Sequence, residues 1–292
     1  MCLARSVLLM IVALAFSCSG RSQNHSHLFT KGISQGKVSR KLEEASGLAA
    51  SIANPGYLWT HNDSGNPSEI FLINEKAEIV MVCKLKKELN RDWEDIVVGA
   101  GPIKGAHYIY IGDIGDNNAQ YKYKYLYRFE EPVLGPKKEI EIADVETLVV
   151  ELPDGKRDME SIAIDHTTGD FYFISKRENH VNIYHEPYPL VPADTIVPAL
   201  IGTLPYHLVV AADFSLDGSE LLVKTYEEVM YWKRGEGQTL AAVLLLPPTK
   251  LTYRKEPQGE AITWALDGSG FYTLSESTKH ERAHLYFYKR NP

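Results

Sequence analysis

Cysteine is scarce, with three residues in 292, and two of them, Cys2 and Cys18, stand close to the start of the chain. Cys83 is thereby left without a partner, which excludes a disulfide framework and a cysteine-based metal site. An excess of positive charge is also missing: 31 Lys and Arg face 38 Asp and Glu, for a formal charge of −7. That balance argues against nucleic acid and anionic lipid as non-specific partners, because both need clustered basic residues. Helical patterns of useful length are absent; the best candidate, Lys84 to Arg91, is too short for a doubly wound α/β fold. No Gly-x-Ser-x-Gly elbow, Walker loop or His-Glu-x-x-His occurs, and Gly99, Gly101 and Gly105 miss the dinucleotide spacing and read as a turn. Tyrosine, in contrast, is plentiful at 17 residues, and β-branched residues fill the apolar runs, so a β-rich protein is expected.

The one long apolar run, Val7 to Phe16, follows Arg5 and is too short to span a bilayer as a helix. Small residues follow it, and Ala15 and Ser17 precede Cys18 in an arrangement that resembles the lipobox of bacterial lipoproteins. Residues 1–17 are therefore expected to be a signal peptide of lipoprotein type, with Cys18 as the lipidated first residue. Plain secretion and an uncleaved anchor are the alternatives. Residues 18–27 are polar enough for a flexible tether, and 28–292 are expected to form one domain. A cell-envelope lipoprotein at the outer membrane or surface is the expected location, with a periplasmic or secreted protein as the alternative.

The segments Asp92-Trp93-Glu94-Asp95-Ile96, Asp158-Met159-Glu160-Ser161-Ile162 and Gln258-Gly259-Glu260-Ala261-Ile262 repeat one pattern, an acid two residues before a branched aliphatic. Glu44 to Leu48 is a weaker relative with Ser46 in the acid's place, and a fifth unit near Val209 to Phe214 aligns at Ala212. The first four are each followed by an aromatic-rich strand and a third strand, as at Tyr108 to Ile111 and Tyr125 to Arg128, and the fifth by Glu220 to Val223 and Val229 to Trp232. Repeats of roughly 40 to 50 residues with about four short strands are the signature of a β-propeller. Asp154-Gly155, Asp217-Gly218 and Asp267-Gly268 read as hairpin turns. Outer strands are expected at 78–85, 145–152, 195–204 and 240–246. The last repeat lacks one, and the extended stretch His27 to Arg40 would complete it and close the ring. The expected fold is all-β: a propeller of four-stranded blades, five by this count. Six would need a blade hidden around 132–142 or 187–198.

In a propeller the first strand of each blade lines the central channel. The start of that strand and the end of the second then share one mouth. Glu94, Glu160 and Glu260 are expected to ring that mouth, with Asn62, Asp63, Asp113, Asp116, Lys176, Arg177, Lys224 and Glu276 beside them. Converging carboxylates repel unless something positive stands among them. A hard cation such as Ca²⁺ could take Glu94, Glu160, Glu260, Asn62, Asp63, Asp113 and Asp116 as oxygen donors. Lys176, Arg177 and Lys224 could neutralise the acids instead, or each Glu could cap backbone N–H groups of the next blade. The four tryptophans, Trp59, Trp93, Trp232 and Trp264, read as packing between blades, and Trp93 could also floor a pocket.

The motifs Glu160-Ser161-Ile162-Ala163 and Tyr110 to Asn117 resemble a family of exported bacterial propellers. More distantly the chain is similar to the phytase-like esterase propellers and the SMP-30/gluconolactonase group. That resemblance implies a divalent metal in the channel mouth, with Glu160 or Glu260, Asn62 and Asp113 at the matching positions. Two functions are expected. One is an envelope binding or scaffold module with an acidic funnel that takes Ca²⁺ or another divalent metal, its partner a small molecule, a glycan or an envelope protein. The other is a metal-dependent hydrolase of an ester, lactone or phosphoester, with Glu160 and Glu94 as base or ligands and Lys176 stabilising the oxyanion.

Overall fold

A computed structural model describes residues 27–192 and 194–292; the expected signal peptide, Cys18 and most of the expected tether lie outside the described residues. The leading strand, β1 (Ile33–Lys37), precedes blade one, which is β2 (Ala45–Ala50), β3 (Tyr57–Asn62), β4 (Glu69–Asn74) and β5 (Ile79–Leu85). Blade two holds β6 (Trp93–Ala100), β7 (His107–Asp113) and β8 (Tyr123–Glu130); after an excursion through β9 (Glu139–Ile142) it is completed by β10 (Glu146–Glu151). Blade three is β11 (Met159–Ile164), β12 (Phe171–Ser175), β13 (Val181–Glu186) and β14 (Ala199–Leu204). Blade four is β15 (Val209–Phe214), β16 (Glu220–Thr225) and β17 (Val229–Lys233), then helix α1 (Leu240–Leu244) and β18 (Thr249–Lys250). Blade five is β19 (Ala261–Trp264), β20 (Gly270–Leu274) and β21 (His284–Lys289).

The inner strands β2, β6, β11, β15 and β19 pack side by side in a closed ring, so the molecule is a five-bladed propeller. β1 pairs antiparallel with β21, from Ile33 opposite Phe287 to Lys37 opposite His284, and closes the ring as expected. Strand Met159–Ile164 is buried along its whole length, because an inner strand has a neighbouring blade against each face. Apolar packing falls into five clusters, each between two adjacent blades. Phe29, which enters just before β1, packs between blades four and five against Phe271, Trp264 and Tyr231, with ring centroids 5.1, 5.9 and 6.3 Å away.

Three expectations are corrected. The extra length in repeat two hides no sixth blade: β9 crosses to blade one and pairs parallel with β5, Val82 opposite Glu139 through Leu85 opposite Ile142. The stretch 187–198 is likewise a loop, touching blade two where Ile196 bridges Val150. Residues 240–244 form a helix rather than an outer strand. Thr239 accepts a hydrogen bond from the Ala242 N–H as its N-cap, Leu240 and Val243 bury one helical face, and Pro247-Pro248 follow. The two-residue β18 takes the outer place instead. Finally, Asp154-Gly155 joins β10 to β11 across two blades and makes no hairpin, whereas Asp217-Gly218 and Asp267-Gly268 do.

Candidate functional site

A β-bulge recurs at one level of the inner strands. Register slips between Ala45 and Leu48, Trp93 and Asp95, Met159 and Ser161, and Val209 and Ala211. The residues inside the slips are Ser46-Gly47, Glu94, Glu160 and Val210, and Glu260 stands at the matching place just before β19. The acid's place in repeat four therefore belongs to Val210, two residues before Ala212, and Asp213 sits deeper along the strand. A bulge re-aims a side chain that regular pleating would direct elsewhere, which is how the short Glu motif becomes a feature of the channel mouth.

Carboxylate oxygens of Asp63, Asp92 and Glu94 all lie within 4.8 Å of one another, and so do those of Glu94, Asp158 and Glu160. Glu94 belongs to both groups. Glu94, Asp158 and Glu160 are buried, while Asp63 and Asp92 are half-buried. Gly115 permits this closeness: a Cβ there would run into Glu94 Oε1 and the Asp92 carboxylate.

Counter-charges are distributed unevenly. Lys176 Nζ sits 2.5 Å from Glu160 Oε1, and Arg177 Nε is 2.5 Å from Asp158 Oδ2. Asp113 has Arg91 at 3.1 Å and the Tyr127 hydroxyl at 3.1 Å. Asp116 has Lys124 at 3.0 Å and also accepts the Gln120 and Tyr121 N–H groups. Among the described residues, no Lys or Arg forms an ion pair with Asp63, Asp92 or Glu94. Internal neutralisation thus operates on Asp113, Asp116, Asp158 and Glu160, and leaves Asp63, Asp92 and Glu94, with Glu260 and Glu276, without an ion pair among the described residues.

The proton affinities follow. Burial, with the Glu160 and Asp63 charges adding to it, raises the Glu94 carboxyl well above its ordinary value, and carboxylate oxygens of Glu94 and Glu160 lie within 4.8 Å of each other. Burial pushes Glu160 up to about 8 against the opposing Lys176 charge, and Asp63 up to about 6. For Lys176, burial works downward, but Glu160 and Glu94 hold the ammonium above its usual range. Two acids from adjacent blades therefore both bind protons more tightly than a free carboxyl, beside the Lys176 cation.

Other expected site residues are held by protein partners. Asn62 donates to the Lys41 carbonyl at 2.7 Å and accepts the Glu44 N–H at 3.2 Å. Glu260 Oε1 accepts the Tyr226 hydroxyl at 2.6 Å, and its Oε2 is buried with no partner. Lys224 donates to the carbonyls of Gly259 and Thr225, and burial lowers its ammonium to about 8 despite the charges of Glu256 and Glu260. Trp93 is fully buried against Tyr127 and His61, so it is core.

No family model and no curated protein matches this chain. Among solved structures it is similar to the Kuenenia stuttgartiensis hydrazine synthase, at 9% identity over 82% of each chain with a TM-score of 0.41. It is also similar to the Dos1 propeller, at 11% identity over 85% of this chain and 68% of that one, again with a TM-score of 0.41. The five-blade ring stands on the strand pairing described above.

Two channel acids take a role that the sequence motifs do not give them. Asp95 Oδ2 accepts the Ile162 N–H of blade three at 2.9 Å, and Asp213 Oδ2 accepts the Trp264 N–H of blade five at 2.8 Å. Capping of the neighbouring blade, expected of the Glu ring, falls to these aspartates. Ser46 joins them by donating to the Glu94 carbonyl at 2.7 Å. The only sequence signal was an acid inside a strand otherwise apolar enough to be buried.

Proposed function

We propose that this propeller is a binding module whose mouth takes one hard divalent cation, Ca²⁺ or one like it, on Asp63, Asp92 and Glu94. The carrying observation is that these three carboxylates converge without a Lys or Arg ion pair among the described residues, while Asp113, Asp116, Asp158 and Glu160 around them each have one. All-oxygen anionic donors suit such an ion. The ion would supply the missing counter-charge and a coordination position for an oxygen-bearing partner. The chain's own residues do the rest: Gly115 keeps the loop close, and Lys176 and Arg177 hold Glu160 and Asp158 away from the ion. The hydrolase reading keeps one supporting feature, the proton-binding Glu94–Glu160 pair beside Lys176, which could deliver an acid and an oxyanion partner. Export and anchoring through Cys18 are part of the proposal and rest on the leader sequence.

Calcium titration calorimetry on the wild type, Asp92→Asn and Glu160→Gln tests the assignment. Asp92→Asn is expected to weaken binding by about tenfold or more, and Glu160→Gln much less, since Glu160 already has Lys176. Equal affinities in all three proteins would overturn it. Turnover of a lactone or phosphoester panel by the wild type, lost in Glu160→Gln, would favour the hydrolase.

A further inference from the structure

On the same face as the acidic mouth, against blade five, lies a cavity of about 240 Å³ lined by Arg254, Ser275, Glu276, Arg282, His284 and Tyr286. Its charges are segregated. Glu276 stands at the inner end, half-buried, in the field of the Glu260 carboxylate, whose Oε2 is a buried oxygen without a partner. The neighbouring Glu256, also in the lining, accepts the Tyr253 hydroxyl on Oε2 at 3.0 Å and faces the Lys224 charge, while its Oε1 is buried without a partner. Nothing comparable serves Glu276, and among the described residues it has no ion pair with Lys or Arg.

The outer end is the reverse. Arg254 lies over the Tyr286 ring at 5.0 Å, and neither Arg254 nor Arg282 forms an ion pair among the described residues. Lys255, by contrast, is engaged by Glu227, and Glu281 faces His284 at 3.9 Å. Burial first, then the charges of Lys37, Arg254 and Arg282, depress the His284 imidazole, so these three cations converge there. A purely anionic ligand would meet Glu276, and a purely cationic one would meet the arginines. One molecule with both charges satisfies the whole cavity, and the volume suits something below drug size.

We propose that this cavity binds a small zwitterion of the amino-acid or dipeptide type, its ammonium on Glu276 and its carboxylate against Arg254 and Arg282. The site is separate from the cation at Asp63, Asp92 and Glu94.

The test is calorimetry and thermal shift on the full chain with the common L-amino acids and diglycine as probes, and with propylamine and propionate as single-charge controls. At least one zwitterion should bind at millimolar concentration or better, and both controls should bind about tenfold more weakly or worse. Glu276→Gln and Arg282→Ala, both at accessible positions, should each lower that affinity about tenfold or more, with unchanged melting temperature. Asp92→Asn should leave it unchanged, which separates this site from the cation. Absence of binding by every probe would overturn the proposal, as would undiminished affinity in Glu276→Gln.

Discussion

Carboxylate oxygens of Glu94 and Glu160, one from blade two and one from blade three, lie within 4.8 Å of each other, with Lys176 Nζ 2.5 Å from Glu160 Oε1. Both occupy the bulge of their inner strand, so a repeated local distortion produces the approach. Burial of two acids this close raises their affinity for protons.

Stability should therefore depend on pH in a defined direction. Glu160 at about 8 and Asp63 at about 6 bind protons more tightly in the fold than in the unfolded chain. Their contribution is fully present below the ordinary carboxylate range and is lost as pH rises through those values. In EDTA the melting temperature should fall between about pH 5 and pH 8.5, and Glu160→Gln should flatten that fall. A melting temperature that rises across the same window would contradict the raised values.

Asp213→Ala should destabilise strongly. Asp213 accepts the Trp264 N–H at 2.8 Å and the Thr263 hydroxyl at 2.9 Å; its loss leaves the buried Trp264 N–H unpaired and the Thr263 hydroxyl with only the Trp264 carbonyl at 3.4 Å. A buried orphan costs about 1–3 kcal/mol, so urea unfolding should show a loss of about that size. Asp95→Ala, which frees the Ile162 and Ile96 N–H groups, should behave alike.

Ring closure offers a third prediction. Phe29 is 3% exposed and packs among Tyr231, Trp264 and Phe271. Phe29→Ala should cost about 3–5 kcal/mol in equilibrium unfolding, although Phe29 lies outside every strand. A loss below about 1 kcal/mol would mean that the N-terminal segment does not clasp blade five.

Gly115→Ala should separate site from fold. Its Cβ would collide with Glu94 Oε1 and the Asp92 carboxylate and push the acids apart. Calcium affinity should drop about tenfold or more, while circular dichroism stays that of a β protein.

Much of this was legible in the chain because it is local. The Glu motif, the aromatic strands and the closing N-terminal strand are written in consecutive residues, and five blades follow from them. What escaped depends on pairing between distant segments. β9 joins blade one although its sequence lies inside repeat two, and nothing in Glu139–Ile142 names Val82 to Leu85 as partner. Val210 holds the bulge without an acid to mark it, so alignment drifted to Ala212. The Leu240–Leu244 run is apolar on every side, which leaves its period undecided until Thr239 caps it. At the mouth, the acids could be named but not their partners: which of them would have Arg91, Lys124, Lys176 or Arg177 is a matter of register.

The central claim is that Asp63, Asp92 and Glu94 hold a cation, and its most direct test is a metal count. Purified protein spanning the propeller would be analysed for bound elements after equilibration with Ca²⁺, and its melting temperature followed with and without EDTA. The account predicts about one equivalent of divalent metal, with a melting temperature several degrees lower on chelation, as about 2–3 kcal/mol of binding linkage would give. No bound metal, together with a melting temperature indifferent to both Ca²⁺ and EDTA, would contradict it.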